Sequence, residues 1–249
     1  MSARLEITGL RKSFDGLAVL DGVNLAVGAG EFVSILGPSG SGKSTLLQIL
    51  TRRTMADAAS IRFDGAPLDP AARPFAFMPQ RDALMDWRTI ADNVAIGLEV
   101  AGMKRKTARA RVTDLLPEFG LAGFGGHYPS QLSGGMRQRV ALLRTVVQER
   151  PMLLLDEPFG ALDALTRVRM QTWLQTMWAG HGWTVLLITH DVREAVALSD
   201  RIAILSDRPA RVVEDIAVPL PRPRRAGDEA AAAIEARIFD LLLNRETPL

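Results

Sequence analysis

Short, nearly continuous apolar runs recur along the chain at Phe32–Leu36, Phe75–Met78, Met152–Leu155, Thr184–Thr189 and Arg201–Leu205. Runs of this length, separated by helical stretches, are the pattern of parallel strands buried on both faces. Lys43–Leu50 reads as a helix start, and Ala164–Trp178 has the period of a longer amphipathic helix. The first thirty residues differ. There Leu5 and Ile7, then Val23, Leu25 and Val27, alternate with other positions around the turn Asp15-Gly16, which predicts an antiparallel sheet. Between Trp87 and Pro129 the texture changes again: Asp92–Val100 and Thr107–Leu116 are helical in period, and no strand run interrupts them. The predicted architecture is one α/β unit over residues 1–249. Its core, with an N-terminal antiparallel β subdomain, spans 1–86 and 140–225; a helical subdomain, 87–139, is inserted in it. The last part, 226–249, is predicted as a C-terminal helix. Pro219, Pro221 and Pro223, with Arg222, Arg224 and Arg225, break regular structure before it, and Asp228–Leu243 reads as a surface helix packed on the core.

Composition narrows the class. A chain of 249 residues accommodates one to two domains and a core that needs no disulfide or metal staple. Lys+Arg exceed Asp+Glu by 30 to 28, a net charge of +2, far from the footprint of a general nucleic-acid binder. The absence of cysteine excludes a disulfide framework, thiol catalysis and thiolate zinc sites. His127, His181 and His190 are too dispersed for a metal cage. Met1–Glu6 leads into no apolar segment of a secretory signal, and no apolar run approaches the ~18 residues of a membrane span. The expectation is a cytosolic globular protein.

Gly37-Pro38-Ser39-Gly40-Ser41-Gly42-Lys43-Ser44 fits G-x-x-x-x-G-K-[ST] between a predicted strand and a predicted helix, the context that makes this pattern a P-loop. Glycines let successive N–H groups turn inward onto phosphate oxygens, the helix start adds its positive end, Lys43 adds a point charge, and Ser44 offers a hydroxyl to Mg²⁺. Downstream, the run Met152–Leu155 ends in Asp156-Glu157. An acid delivered at the C-terminal edge of a parallel strand suits Mg²⁺ binding, for Asp156, and Glu157 is placed to polarise an attacking water. Kinase, GTPase and transport ATPase all fit these two elements. Leu132-Ser133-Gly134-Gly135-Met136-Arg137-Gln138-Arg139 supplies a further glycine turn at a helix start, with backbone N–H groups able to bind a second anion.

Taken together, the motifs resemble those of the ATP-binding cassette (ABC) family over nearly the whole chain. Gly37–Thr45 resembles Walker A, Leu132–Gln138 the signature, and Leu153–Glu157 Walker B. Gly160-Ala161-Leu162-Asp163 resembles the D-loop, Gln80 the Q-loop glutamine and Thr189-His190-Asp191 the switch-histidine region; Phe14 stands where the family places an adenine-stacking aromatic. The order is that of the family. The resemblance implies MgATP binding and hydrolysis, with Lys43, Glu157 and His190 catalytic. ATP would be held by Phe14, Gly37, Pro38, Ser39, Gly40, Ser41, Gly42, Lys43, Ser44, Thr45 and Gln80, and Mg²⁺ by Ser44, Gln80 and Asp156. It further implies a head-to-tail homodimer in which Ser133, Gly134 and Gly135 of one copy close on the ATP of the other, with Asp163 of the D-loop also among the ATP-binding residues.

Met78–Ile90, Asp92–Val94, Leu155–Thr166, Ser206–Val213 and Pro219–Pro223 are similar to the ATPases of nitrate, sulfonate/taurine and thiamine-precursor (pyrimidine) importers, with Leu143–Val147 leaning to the pyrimidine branch. That resemblance implies a separate membrane permease, an indirect solute-binding protein and a peripheral place on the cytoplasmic face of the cell membrane. A cassette of a lipoprotein-release or cell-division complex, a mechanical module without a solute, is the alternative. Two departures stand out. Met85-Asp86-Trp87 replaces the group's Leu-Pro-Trp, and Ala56–Ser60 replaces its Pro-(Thr/Ser)-x-Gly turn, a change expected to alter only a loop. Leu84 and Trp87 are candidate permease anchors within 80–101, with packing inside the helical subdomain as the competing reading. The basic run Lys104-Arg105-Lys106, with Arg109 and Arg111, reads as a solvated helix face.

Overall fold

A computed structural model describes residues 3–224 and 228–243; Arg225 and the two ends of the predicted segment 226–249 lie outside the described residues. The chain opens with a hairpin, β1 (Ala3–Phe14) and β2 (Leu17–Gly28), whose turn Asp15-Gly16 has positive φ at both residues. This is the geometry that Asp-Gly favours between right-twisted strands. β4 (Ala58–Phe63) and β5 (Ala66–Pro67) extend this antiparallel sheet in the order β2-β1-β4-β5. The expectation for Ala56–Ser60 is corrected here. Ala58 pairs with Arg11 and Ser60 with Thr8, so most of that segment is strand rather than loop. Asp57, just before it, accepts from Lys12 Nζ at 2.8 Å and Ser13 N at 2.6 Å and so fastens the strand's entry.

The second sheet runs β10-β9-β3-β8-β7-β6. β3 (Phe32–Leu36), β6 (Phe75–Met78), β7 (Met152–Asp156), β8 (Thr184–Ile188) and β9 (Arg201–Leu205) are parallel and coincide with the five predicted runs to within one residue at either end. β10 (Val212–Ala217), which the apolar pattern does not announce, adds an antiparallel edge. Alternation explains why these strands are apolar throughout. Leu153, Leu155, Val185 and Leu187 face one core, while Met152, Leu154, Leu186 and Ile188 face another, shared with Leu5, Ile7 and Val27 of the antiparallel sheet.

α1 (Lys43–Leu50) follows β3. α2 (Ile90–Val100), α3 (Arg105–Leu115) and α4 (Gly134–Val146) pack over the first core through Val94, Val112 and Val140. α5 (Ala164–His181) joins β7 to β8, and α6 (Val192–Leu198) joins β8 to β9. The predicted terminal helix is α7 (Glu229–Leu243), packed through Ala231 and Ile238 onto a third core with Val192, Val196 and Ile216.

Because β3, β6, β7, β8 and β9 are parallel, their C-terminal ends lie along one edge. The segments that begin there carry Gly37–Ser44, Gln80, Asp156-Glu157, Thr189–Asp191 and Ser206–Arg208. Nucleotides bind at such edges of open α/β sheets.

Candidate functional site

The loop between β3 and α1 is held by its own lysine. Lys43 is buried, and its Nζ donates to the carbonyls of Gly37 at 2.8 Å and Pro38 at 2.7 Å. Burial pushes its pKa down, an effect opposed by Glu157 and Asp156. Gly42, at φ 100°, caps α1; a Cβ there would stand 2.7 Å from Leu20 and 3.0 Å from Val19 of β2. Only glycine permits both that backbone angle and that approach. Ser41 Oγ is buried without a hydrogen-bond partner, while Ser44, the second residue of α1, is exposed. Such a loop, ending on the positive pole of a helix, is an anion cradle.

Glu157 follows the end of β7 at φ 44°, a left-handed conformation that a non-glycine residue adopts at a cost of about 1–3 kcal/mol. Neighbouring strands impose it: its N–H donates to the carbonyl of Ile188 at 2.8 Å, and its own carbonyl accepts from Gly160 N at 3.2 Å. The carboxylate is thereby aimed at two predicted partners. Gln80 Nε2 donates to Oε2 at 2.9 Å, and His190 Nδ1 lies 3.2 Å from Oε1. Asp156 stands beside it, half-buried; burial and then the charge of Glu157 push its pKa up, against Arg53 and Lys43. The structure thus gathers Lys43, Gln80, Asp156, Glu157 and His190, spread over 148 positions, at one sheet edge.

Ser133, Gly134 and Gly135 stand elsewhere. Ser133 caps α4, its Oγ accepting from Met136 N at 3.3 Å. A Cβ on Gly134 would meet Leu162 at 3.4 Å, and one on Gly135 would meet Thr166 at 2.9 Å. This element therefore lies against Gly160–Asp163 and the start of α5, whereas the residues crowding the phosphate loop are Val19, Leu20, Leu205 and Arg208. Asp163 caps α5 through Thr166 N at 3.0 Å. Phe14, at the tip of the hairpin, is 42% exposed with Lys12 Nζ 5.0 Å from its ring centre, so it stands outside the core.

The segment after Gln80 is tied to α4: Arg137 Nε pairs with Asp82 at 3.2 Å, and Arg144 donates to the carbonyls of Asp82 and Ala83. Leu84 packs on the core beneath, but Trp87 is 77% exposed, which rules out core packing for Trp87 alone. Asn93, fully buried, holds the turn that displays it through Met85 N and O, Arg88 O and Thr89 O. The basic face of α3 is solvated, as expected, and two of its arginines also reach inward: Arg105 and Arg109 lie 3.2 and 3.4 Å from the buried carboxylate of Asp92.

Two further groups escape sequence inspection. Arg208 has its Nη2 2.7 Å from where a Gly40 Cβ would stand, beside the phosphate loop. Arg167 bridges Leu162 and Asp191. Arg208 falls in the Ser206–Val213 segment and Arg167 just after Leu155–Thr166, but only the fold brings either to the site.

Comparisons with known proteins agree with this geometry. A family model described as ABC transporter matches residues 20–160. The aliphatic sulfonates import ATP-binding protein SsuB 2 of Agrobacterium fabrum is 43% identical over 242 residues, covering 97% of this chain and 90% of that protein. SsuB of Pectobacterium atrosepticum is 43% identical over 239 residues, covering 96% and 87%. Among solved structures, a dimeric ATP-binding cassette in a post-hydrolysis state bound to ADP and Pi superposes with a TM-score of 0.73 at 29% identity, over 87% of this chain and 100% of that one. The dimeric structure of a bacterial ABC transporter cassette gives 0.74 at 30% identity over the same shares. The chain belongs to the ABC transporter family, as one of its ATP-hydrolysing cassettes.

Proposed function

We propose that this cassette energises an importer for a sulfonate-like organic anion, pairing with a second copy of itself and with a separate membrane permease. The observation that carries the reading is the convergence of Gln80 and His190 on the Glu157 carboxylate, joined to 43% identity with sulfonate-import ATP-binding proteins across nearly the whole chain. That identity moves the solute from the pyrimidine-precursor branch suggested by Leu143–Val147 to sulfonates. The displayed Trp87 supports a protein partner on the 80–101 face, since an exposed aromatic on a rigid turn is a ready interface anchor. Among the described residues no helix is long and apolar enough to cross a membrane; on this reading a permease spans it, and the cassette sits peripherally on its cytoplasmic face.

Within the site, the inward N–H groups of Gly37–Thr45 and the start of α1 bind the phosphates, and Lys43 adds its charge at the β/γ end. Phe14 lies open for stacking by the base. Glu157 orients and polarises the attacking water, held in place by its strained backbone and by Gln80 and His190. His190 faces the γ-phosphate and stabilises charge as it develops there. The donors for a cation fit Mg²⁺: a hydroxyl from Ser44, a carboxylate from Asp156 and the amide oxygen of Gln80, whose Nε2 is already engaged, form a hard all-oxygen set. When bound, Mg²⁺ neutralises charge on the β- and γ-phosphate oxygens. Because Ser133–Gly135 lie against Leu162 and Thr166, away from the loop of their own chain, they and Asp163 complete the site of a second copy.

The test is capture of tagged Glu157→Gln chain from native membranes with MgATP, all partners being identified by mass. A permease with a solute-binding protein supports the importer, and a sulfonate bound by that protein supports the solute. A two- or four-span partner without any binding protein would transfer the chain to the mechanical class.

A further inference from the structure

Arg167, on the second turn of α5, joins two segments that the site depends on. Its Nη2 donates to the carbonyl of Leu162 at 2.9 Å, next to Asp163, and its Nη1 lies 3.6 Å from Oδ2 of Asp191, next to His190. Asp191 divides its carboxylate. Oδ1 caps α6, accepting from Arg193 N at 2.9 Å and Glu194 N at 3.2 Å, which leaves Oδ2 for the guanidinium. Both members are about two-thirds buried, and Arg167 Nε is buried without a hydrogen-bond partner. The two segments meet again at Glu157, whose carbonyl accepts from Gly160 N at 3.2 Å and whose Oε1 lies 3.2 Å from His190 Nδ1. Glu157, Gly160–Leu162, Arg167, Asp191 and His190 therefore form a closed circuit of contacts, joined at one end by Glu157 and at the other by the guanidinium.

An exposed ion pair would contribute little here. A planar fork that touches two loops fixes their separation, which an ammonium cannot do with one point of charge. Displacements of about 1 Å at a reacting group cost on the order of a hundredfold in rate. We propose that Arg167 is a positioning residue for hydrolysis: it transmits the placement of Gly160–Asp163 to His190, so that contact made by one segment sets the other. The proposal rests on the reading that His190 acts at the γ-phosphate.

The experiment is a steady-state ATPase assay of the full chain with MgATP, for Arg167→Ala, Arg167→Lys, His190→Ala and the Arg167→Ala/His190→Ala pair. Arg167→Ala is expected to lower kcat by about tenfold to a hundredfold while KM for ATP stays within about twofold. Arg167→Lys should fall between it and wild type. In the His190→Ala background the Arg167 substitution should cost nothing more, because its effect runs through the missing imidazole. Wild-type kcat in Arg167→Ala and Arg167→Lys overturns the proposal, as does a loss that multiplies with that of His190→Ala. If His190→Ala itself turns over at the wild-type rate, the underlying reading of the site fails and the proposal falls with it, an outcome recognisable from the single variant. Should Arg167→Ala not fold, Arg167→Lys and its pair with His190→Ala carry the same comparison: full kcat in Arg167→Lys, or a loss that multiplies with His190→Ala, overturns the proposal.

Discussion

Glu194 is a buried carboxyl whose protonation the fold controls, and its replacement by Gln isolates the consequence. It lies in the first turn of α6, 3% exposed, with Oε1 lacking any hydrogen-bond partner. Burial pushes its pKa up to about 8 from 4.5; the neighbouring Asp191 and Glu157 push the same way, and Arg167 and the Thr189 hydroxyl oppose them. The unfolded chain releases this proton near 4.5 and the folded one near 8, so between those values the folded state binds more protons. Stability is therefore full below the lower value and is lost as pH rises through the upper one. Each unit of pH in that window costs about 1.4 kcal/mol, so wild type should lose about 3 kcal/mol from this group alone between about pH 5.5 and pH 8. Glu194→Gln keeps the shape without the titration. Urea unfolding of both proteins across this range gives the answer by difference, since all other groups are shared. The advantage of the variant over wild type should grow by about 3 kcal/mol from the acid to the alkaline end. A difference that stays constant within about 0.5 kcal/mol across the range would refute the argument.

Lys43→Ala removes both hydrogen bonds that draw the phosphate loop together, and ATP affinity measured with a fluorescent nucleotide should fall at least about tenfold; unchanged affinity would take Lys43 out of the site. Ser133→Arg gives up an N-cap contact worth about 1 kcal/mol, so the chain should still fold and bind ATP, yet in the Glu157→Gln background it should sediment as a monomer with MgATP. An ATP-dependent dimer of that double variant would contradict closure by Ser133 on a second copy. Trp87→Ala should change unfolding free energy by less than about 0.5 kcal/mol, because the ring is 77% exposed, while weakening co-purification with the permease; undiminished association would remove Trp87 from that surface.

What the sequence reveals and what it hides separate along physical lines. The central strands are legible because both faces are buried, so every position from Met152 to Leu155 must be apolar and the run stands out. The phosphate loop is legible because its chemistry demands fixed residue types at fixed spacing. β4 is hidden: Ala58–Phe63 is largely exposed, its pairing with β1 needs little apolar content, and its first half, Ala58–Ser60, reads as part of a loop. β10 is hidden for the same reason, being an antiparallel edge with only Ile216 buried. The ion pairs of Arg105 and Arg109 on α3 are hidden because their partner, the buried Asp92, lies on another helix. Arg167 and Arg208 are hidden because a guanidinium reaches its acceptor through space, and no local spacing records the distance.

The strain at Glu157 shows why the site needs the whole sheet rather than its motifs. A left-handed carboxylate-bearing residue persists only where its surroundings over-determine it, and the four constraints on Glu157 come from three different parts of the fold. Ile188 at the end of β8 takes its N–H, Gly160 ahead of α5 donates to its carbonyl, Gln80 beyond β6 donates to one carboxylate oxygen, and His190 beyond β8 faces the other. Two of these four partners sit on segments that also look outward. Gln80 leads into the turn that displays Trp87, and Gly160 leads into Asp163. A partner protein pressing on either surface therefore acts on a residue already held off its relaxed conformation, where a small displacement changes the carboxylate's aim. Coupling of hydrolysis to contacts outside the site then runs through the hydrogen bonds that force Glu157 into place, beside the link that Arg167 makes between Gly160–Asp163 and the His190 segment.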